Sequence, residues 1–305
     1  MTVVTQVRAR ASAKINLHLG VGGLRDDGFH ELHTVYQAIS LHDELTATGA
    51  AGWTLTCRAR EYVDPAHLPS PDDDIVTRAA VLLAARHDID VAADVLVDKS
   101  IPVAGGMAGG SADAAAALVV LDRLWELDLP TAELMSLAAE LGSDVPFALH
   151  GGTALGTGRG EEVTAVPDRG TWWWVALPAG EGLSTPAVYR RFDELLPDAS
   201  PAPPRADALL AALATGDPHA LAPTLHNGLQ EAAFDLRPAL RELVARGEAE
   251  GALRGLVSGS GPTCVFLCES EAHAGAVAMG LRGAGHDTVL TAYGPVPGAR
   301  LLDAG

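Results

Sequence analysis

Four glycines lie between residues 105 and 110, after a break at Pro102 and before an alanine-rich stretch that opens at Ser111. An apolar run precedes them, so the order strand, glycine loop, helix is predicted. Glycine lets the backbone approach a ligand closely, and the first N–H groups of a helix have no partners within it. Because the helix dipole also favours negative charge there, this pattern indicates a phosphate-binding loop.

Two familiar phosphate-binding motifs do not match this loop. It does not end in Gly-Lys-Ser/Thr, so it is not a P-loop, and its glycines do not follow the G-x-G-x-x-G spacing of dinucleotide-binding folds. A flexible loop followed by a serine helix cap is the structural alternative. The loop alone therefore leaves phosphate binding and a purely structural role both open.

The use of lysine adds a second observation. The chain has 21 basic residues, and only Lys14 and Lys99 are lysines. In such a chain a lysine that persists is expected where a compact ammonium, rather than a planar guanidinium, is needed. Lys99 enters the glycine loop, and Lys14 lies in an alternating segment that places Asn16 on the same strand face. The alternative for each lysine is a solvated position on a strand edge.

A candidate general base lies in the segment Gly-Ser-Asp-Val-Pro at residues 142–146. Asp144 stands between glycine and proline, where a side chain can be held in place, although Ser143 or Asp144 could instead cap the next helix. Phosphoryl transfer needs a phosphate cradle, usually magnesium, a carboxylate near the acceptor hydroxyl and a cation near the transferred group. The glycine loop, Asp144 and Lys14 supply one candidate for each of the protein groups.

Composition limits the class of protein. The 305 residues are enough for two domains, and we expect the boundary near residue 164. A net charge of −18 argues against nucleic-acid or membrane partners, but not against a small anionic ligand in a local cradle of N–H groups. Three scattered cysteines make no disulfide framework, and the N-terminus has no long apolar stretch. We therefore expect a cytoplasmic protein, either monomer or homodimer.

Hydrophobic patterning predicts mixed α and β structure in both halves. In the first half we expect strands over 3–20, 35–41 and 44–57 and helices over 75–86 and 112–127. In the second half we expect a strand over 172–177, a proline-rich linker over 197–205, a helix over 272–284 and a closing strand over 288–293. A second glycine loop, at residues 258–262, lies between strand-like runs.

Three segments in this order resemble the GHMP kinases: the N-terminal strand, the Pro-x-x-x-Gly-Met-x-Gly-Gly-Ser loop and the late Gly-Ser-Gly-Pro loop. The resemblance implies an α+β, two-domain GHMP kinase fold. Residues 1–164 would form an N-terminal α/β nucleotide-binding domain, and residues 165–305 a C-terminal ferredoxin-like α+β domain.

Finer matches lie at residues 13–17, at Asp-Gly-Phe-His over residues 27–30 and at residues 142–146. They resemble the branch of the family that phosphorylates the C2 hydroxyl of 4-diphosphocytidyl-2-C-methyl-D-erythritol in the non-mevalonate route to isoprenoids. The resemblance implies ATP with Mg²⁺ as the cofactor and this cytidyl-linked small molecule as the acceptor.

The resemblance also implies roles for individual residues. Asp144 would deprotonate the acceptor hydroxyl, and Lys14 would keep Asp144 ionised and stabilise the developing charge. Asn16 would contact the methylerythritol hydroxyls. The other acceptor contacts would be Phe29 and Tyr189 stacking on cytosine, His30 at the edge of the base, and Thr185, Gly259 and Gly261. The ATP contacts would be Asp74, Lys99, Pro102, Val103, Ala104, Gly105, Gly106, Met107, Ala108, Gly109, Gly110, Ser111 and Ala112. Magnesium would be carried by the ATP phosphates, with Ser111 as a candidate protein ligand.

The sequence departs from the family pattern at four positions. Phe29 replaces a common tyrosine, Ala104 and Ala108 replace frequent glycines, and Asp74 replaces the usual asparagine. A further acidic residue, Asp113 in the first turn of the predicted helix, either points away from the phosphates as a cap or reaches magnesium.

Two other functions fit parts of the pattern. One is another small-alcohol kinase of the same family, of the mevalonate or homoserine type. The segment 27–30 argues against it, because a small acceptor needs no nucleobase pocket. The other is a non-catalytic nucleotide-binding regulator on the same fold. The joint presence of Lys14 and Asp144 argues against that function, because a regulator could lose either residue.

Overall fold

The computed structural model describes residues 6–64, 68–103, 105–180 and 182–303. Its strands are β1 (Gln6–Leu24), β2 (His30–Thr48), β3 (Trp53–Ala59), β4 (Ala93–Lys99), β5 (Thr153–Thr157), β6 (Glu162–Ala165), β7 (Trp172–Leu177), β8 (His226–Asn227), β9 (Arg254–Val257), β10 (Cys264–Cys268), β11 (Leu290–Gly294) and β12 (Arg300–Leu301). Its helices are α1 (Ile75–His87), α2 (Gly109–Leu124), α3 (Thr131–Leu141), α4 (Val145–His150), α5 (Thr185–Leu195), α6 (Asp207–Leu213), α7 (Pro218–Leu221), α8 (Gln230–Leu236), α9 (Ala239–Ala249) and α10 (Glu271–Gly283).

The first sheet is built around the two longest strands. Its order is β12–β1–β2–β4–β3, and β5 also pairs with β2 and carries β6. Strands β1 and β2 are antiparallel, whereas β3 and β4 run parallel because α1 connects them. Helix α2 packs against β1 and β2. Its alanines at 114–117 are fully buried, and their small side chains let the helix lie close to the sheet.

The second sheet has the ferredoxin-like order expected for the C-terminal half. Its strands lie in the order β11–β7–β10–β9, and all neighbours are antiparallel. Helices α9 and α10 pack on the face that carries Val175 and Phe266. Because successive side chains of a strand point to opposite faces, Trp174 and Val265 join the core of the first sheet instead. The α+β, two-domain fold is therefore confirmed.

Some element boundaries differ from the sequence predictions. The single strand expected over 44–57 is two strands, because Gly49 and Gly52 bend the chain between β2 and β3. Helix α2 begins at Gly109 rather than at residue 112, after Ala108 with a left-handed φ of 55°. The strand expected over 3–20 is β1, and residues 3–5 lie outside the described residues.

The two halves are joined at β1. The expected boundary between residues 164 and 165 falls inside β6. Strands β8 and β12, which come after that boundary, both pair with β1. The second half therefore contributes to the first sheet.

Among the described residues, no helix is both long enough and apolar enough to span a bilayer.

A buried lysine links β2, β4 and α2 next to the first glycine loop. Lys99 is 4% exposed and donates to Asp43 at 2.6 Å and to Asp113 at 2.5 Å. The second Asp43 oxygen accepts the backbone N–H groups of Ser100 and Ile101, at 2.5 and 2.8 Å. Burial alone would lower the pKa of Lys99, but the charges of Asp113 and Asp43 raise it above its ordinary value. The charged ammonium therefore fixes the start of the loop to β2.

Replacement of Lys99 by methionine should lower the free energy of unfolding by about 3–5 kcal/mol, because two buried carboxylates would lose their cation. Urea denaturation at neutral pH measures this loss. Arg86→Met is the control, because it removes a cation whose ion pair with Glu140 is exposed, and it should cost under about 1 kcal/mol. Equal losses in the two variants would contradict a structural role for the buried group.

Candidate active site

A cavity of about 1070 Å³ lies between the two halves of the chain. Its walls come from β1, the first glycine loop, the first turns of α2, one face of α5 and the second glycine loop. Pockets for one drug-sized ligand reach about 1,000 Å³ at the upper end, so this cavity has room for two small substrates. Predicted site residues from both halves, though not all of them, meet here.

Lys14 and Asp144 face each other in this cavity. The Lys14 ammonium lies 3.5 Å from an Asp144 carboxylate oxygen and donates to the Asn16 side-chain oxygen at 2.8 Å. The Asn16 amide donates to the Thr34 hydroxyl at 2.8 Å, and that hydroxyl donates to the His18 carbonyl at 2.7 Å. Asn16, predicted to contact the acceptor, therefore also orients Lys14 towards Asp144.

Asp144 does not use its side chain as a helix cap. It occupies the N-cap position of α4, yet its carboxylate accepts no hydrogen bond from the N–H groups of that helix. The side chain is about one-third exposed and lines the cavity beside Ser143. The capping alternative for Asp144 is therefore wrong, and its carboxylate is available to an acceptor hydroxyl.

Tyr36 belongs to the same group, although no sequence pattern singles it out. Its ring lies against the Lys14 ammonium, with 5.1 Å between Nζ and the ring centroid. Burial, and after it the charge of Asp144, raises the pKa of Tyr36 well above its ordinary value, so the hydroxyl stays protonated as a donor. Gly160 makes room for it, since a Cβ there would lie 2.2 Å from the Tyr36 oxygen.

The first glycine loop forms the wall expected for a phosphate cradle. The loop residues that line the cavity are Pro102, Val103, Gly105, Gly106, Ala108, Gly109, Gly110 and Ser111. The side chains of Met107 and Ala112 do not, because both are fully buried in the core. The Met107 carbonyl instead accepts the Lys14 N–H at 3.1 Å and ties the loop to β1. Ala104 lies outside the described residues.

The two glycine loops pack directly against each other. Gly106 has a φ of +74°, and a Cβ on it would lie 2.5 Å from the Ser258 carbonyl oxygen and 2.8 Å from that of Gly261. The Ser258 hydroxyl donates to the Gly106 carbonyl at 3.2 Å. From β8, Asn227 donates to the Gly259 carbonyl at 2.8 Å. Glycine at position 106 is therefore required for contact between the loops.

The two glycines predicted in the second loop differ in position. Gly259 lines the cavity, and a Cβ on it would lie 3.2 Å from the Asn16 side-chain oxygen. Gly261 does not line the cavity, and its positive φ of +83° instead allows the second loop to turn there. The Ser260 hydroxyl, which the sequence did not single out, lies 2.8 Å from the Thr185 hydroxyl. The part of the loop that faces a ligand is thus residues 259–260.

Asp74 and Lys99, expected near the adenosine end, line the cavity but are engaged within the protein. Asp74 caps α1 by accepting the Val76 N–H at 2.8 Å, and burial raises its pKa. Lys99 is held by Asp43 and Asp113. Asp113 is therefore not a helix cap, and its second oxygen is buried and makes no hydrogen bond within the described residues.

An aromatic pocket forms where β2 meets α5. The rings of His30 and Tyr189 lie 4.9 Å apart, and His30 Nε2 lies 2.8 Å from an Asp193 carboxylate oxygen. Phe29 is 48% exposed, and the Arg159 guanidinium lies 4.9 Å from the centroid of its ring. The three residues predicted to hold a nucleobase thus line one cavity, and Phe29 keeps an accessible surface.

Several residues of the site have no local sequence signal. Thr34 and Tyr36 lie in an ordinary strand pattern, and Asp43 is the middle one of three polar residues between Leu41 and Leu45. Arg159 and Arg190 reach the cavity from the turn between β5 and β6 and from α5. Their placement depends on which distant elements pair, which residue spacing does not reveal.

The arrangement suits transfer of a phosphoryl group to an alcohol. The glycine loop and the N-terminus of α2 present backbone N–H groups to a phosphate. The Asp144 carboxylate can accept a hydroxyl proton, and the adjacent Lys14 ammonium can stabilise negative charge on the transferred group.

Comparison with known proteins supports the same chemistry. Residues 74–152 match the family model of the GHMP kinases N terminal domain, and residues 209–287 match that of the GHMP kinases C terminal. A Nocardioides sp. protein named 4-diphosphocytidyl-2-C-methyl-D-erythritol kinase is 61% identical, over 96% of this chain and 99% of its own. A Nocardia farcinica protein of that name is 54% identical, over 99% and 98%. A crystal structure of 4-(cytidine 5'-diphospho)-2C-methyl-D-erythritol kinase has a TM-score of 0.77 at 32% identity, over 94% of this chain and 98% of that one.

The Lys14–Asp144 pair beside the first glycine loop fits this family, and the two family models together with the relatives above half identity show that the chain belongs to the GHMP kinases, a family of ATP-dependent phosphotransferases, and within it to the 4-diphosphocytidyl-2-C-methyl-D-erythritol kinases.

Proposed function

We propose that this enzyme transfers the γ-phosphoryl group of ATP to the C2 hydroxyl of 4-diphosphocytidyl-2-C-methyl-D-erythritol, in the non-mevalonate route to isoprenoids. The observation that carries the proposal is the position of Lys14 and Asp144 in one cavity with a phosphate cradle and an aromatic pocket. The cradle fits the donor, the pocket fits a nucleobase, and the ion pair serves the reacting hydroxyl.

The reaction follows from the protein groups. Asp144 accepts the proton of the C2 hydroxyl, and the hydroxyl oxygen forms a bond to the γ-phosphorus as the bond to the β–γ bridging oxygen breaks. ADP leaves with the electron pair of that bond. Lys14, next to Asp144, can stabilise negative charge on the transferred group. Asn16 accepts a hydrogen bond from the Lys14 ammonium, and the Tyr36 ring packs against that ammonium, so both keep Lys14 in place.

Magnesium is the metal expected with ATP, and it would neutralise charge on the phosphates. The residues next to the cradle fit it. Asp113 has a buried oxygen without a hydrogen-bond partner among the described residues, and Ser111 lines the cavity two residues earlier on α2. Magnesium usually takes one or two protein ligands besides phosphates and waters, so Ser111 and Asp113 are the residues that would hold it.

The aromatic pocket favours a cytidyl-linked acceptor over a small alcohol. Phe29, His30 and Tyr189 line it, and an acceptor such as mevalonate or homoserine would leave these rings unused. The relatives at 61% and 54% identity are named for the cytidyl-linked compound. A non-catalytic regulator is disfavoured, because the Lys14–Asp144 pair is held by hydrogen bonds that nucleotide binding alone does not need.

A coupled assay of ADP release tests the proposal directly. The enzyme is given ATP with magnesium and, in parallel, the cytidyl-linked methylerythritol, mevalonate or homoserine. We expect turnover with the cytidyl-linked compound only. Turnover with mevalonate or homoserine instead would support another small-alcohol kinase, and nucleotide binding without turnover of any acceptor would support a regulator.

Asp144→Asn should lower kcat by about 10²–10⁴-fold, because the amide keeps the shape but cannot accept the proton. Affinity for a non-hydrolysable ATP analogue should be unchanged. Asp217→Asn is the control, since Asp217 is also at a helix N-cap but accepts the His219 N–H at 2.9 Å, as a true cap does. A kcat of Asp144→Asn close to that of the control would remove Asp144 from the reaction.

Phe29→Ala should weaken binding of the cytidyl-linked acceptor by about 1–3 kcal/mol, the range for a base stacked on an aromatic ring. Phe29→Tyr should be tolerated, because the ring face remains. Since Phe29 is 48% exposed, the melting temperature of the alanine variant should stay near that of the wild type. A large fall in melting temperature with unchanged acceptor affinity per folded molecule would assign Phe29 to the core instead.

A further inference from the structure

One basic side chain at the cavity wall has no ion-pair partner among the described residues. Among the described residues, the basic side chains that line the cavity are Lys14, Lys99, Arg159 and Arg190, apart from the ring of His30. Lys14 pairs with Asp144 and Lys99 with its two carboxylates. Arg159 pairs with a glutamate of its own turn and lies over the Phe29 ring.

Arg190 is exposed and has no ion pair or hydrogen bond with the described residues. The acidic residues one turn further along α5 are already engaged: Asp193 with His30, and Glu194 with Arg191. A guanidinium without a partner at the wall of a cavity, in a protein of net charge −18, is a site for an anionic group of a ligand.

The face of α5 that carries Arg190 connects the two ends of the proposed acceptor site. Thr185 and Tyr189 lie four residues apart and so do Pro186 and Arg190, and all four residues line the cavity, with Arg190 directly after Tyr189. At one end, Thr185 meets Ser260, next to Gly259, where a Cβ would lie 3.8 Å from the Lys14 ammonium. At the other end, Tyr189 belongs to the aromatic pocket.

In the acceptor, a diphosphate links the cytidine to the methylerythritol that carries the C2 hydroxyl. Its cytidine belongs in the aromatic pocket and its C2 hydroxyl beside Lys14 and Asp144, so its diphosphate must lie between them, along α5. Arg190 starts at the aromatic end of this path, and side chains of a helix lean towards its N-terminus, which here is the end that carries Thr185. We propose that Arg190 binds this diphosphate and thereby helps select the nucleotide-linked acceptor, an inference that rests on the proposed function. A guanidinium suits the task, because its planar fork can donate two hydrogen bonds to phosphate oxygens.

The chain provides a matched control next to this residue. Arg191 is one position further along α5 and pairs with Asp235 of α8 and with Glu194. It is absent from the cavity wall described above. Arg190→Gln and Arg191→Gln remove the same charge from the same helix, so the two variants separate a local contact from a change in net charge.

The test is calorimetric titration of each variant with CDP and with cytidine, in a saturating concentration of a non-hydrolysable ATP analogue so that the donor site is filled. Arg190→Gln should bind CDP about 10- to 100-fold more weakly, the usual effect of losing a hydrogen bond to a charged group, and cytidine as tightly as the wild type. Arg190→Lys should recover part of the CDP affinity.

Steady-state assays give a second measurement. In Arg190→Gln the KM of the acceptor should rise, while kcat and the KM of ATP stay unchanged. Arg191→Gln should behave as the wild type in both experiments.

Unchanged CDP affinity in Arg190→Gln, or an equal loss for cytidine and CDP, would overturn the role of Arg190. A rise in the KM of ATP instead would assign Arg190 to the donor, which also overturns it. Failure of the proposed function gives a different result, because the wild-type protein would then bind neither CDP nor cytidine and would not phosphorylate the acceptor.

Discussion

The buried group of Asp43, Lys99 and Asp113 is the interaction on which the site depends. A lysine ammonium removed from water is stable only with partners, and here two carboxylates supply them from β2 and α2. The same Asp43 holds two backbone N–H groups at the start of the glycine loop. A Cβ on Gly109 would lie 3.4 Å from the Lys99 ammonium, so the group supports the N-terminus of α2 directly. The first glycine loop, which we propose as the phosphate cradle, is therefore held in a fixed position by the protein itself.

The reacting groups are placed by a second set of contacts, between segments far apart in the chain. The first glycine loop is tied to β1 through the Lys14 N–H, and it packs on the second loop through Gly106. Asn227 braces the second loop from β8, a strand that pairs with β1. The cradle, the Lys14–Asp144 pair and the wall of the acceptor site are thus held against the same strand. This common support gives the positioning on which phosphoryl transfer mainly depends.

Residue type and spacing suggested candidates where the proposed chemistry restricts the choice of residue, and they gave no signal for residues whose place depends on distant packing. Lys14 and Asp144 could be identified because a rare lysine and a carboxylate held between glycine and proline are unusual. Lys99 was expected near the adenosine end of ATP, and its carboxylate partners could not be seen, since Asp43 reaches it only through the pairing of β2 with β4. Tyr36 looks like any strand residue until β1 and β2 pair. The break between β2 and β3 was missed because apolar residues continue on both sides of a short glycine-flanked bend.

The proposed reaction in this cavity is phosphorylation of a tertiary hydroxyl of a cytidyl-linked alcohol. Phosphorus NMR of the purified product tests it most directly. Carbon 2 of the acceptor carries the methyl group and no hydrogen, so a phosphate on its hydroxyl gives a phosphomonoester signal without splitting by a proton on that carbon. We predict one such signal, with the diphosphate signals of the acceptor retained and ADP formed in equal amount. A monoester signal split by neighbouring CH or CH₂ protons, or ADP formed without any new monoester, would contradict it.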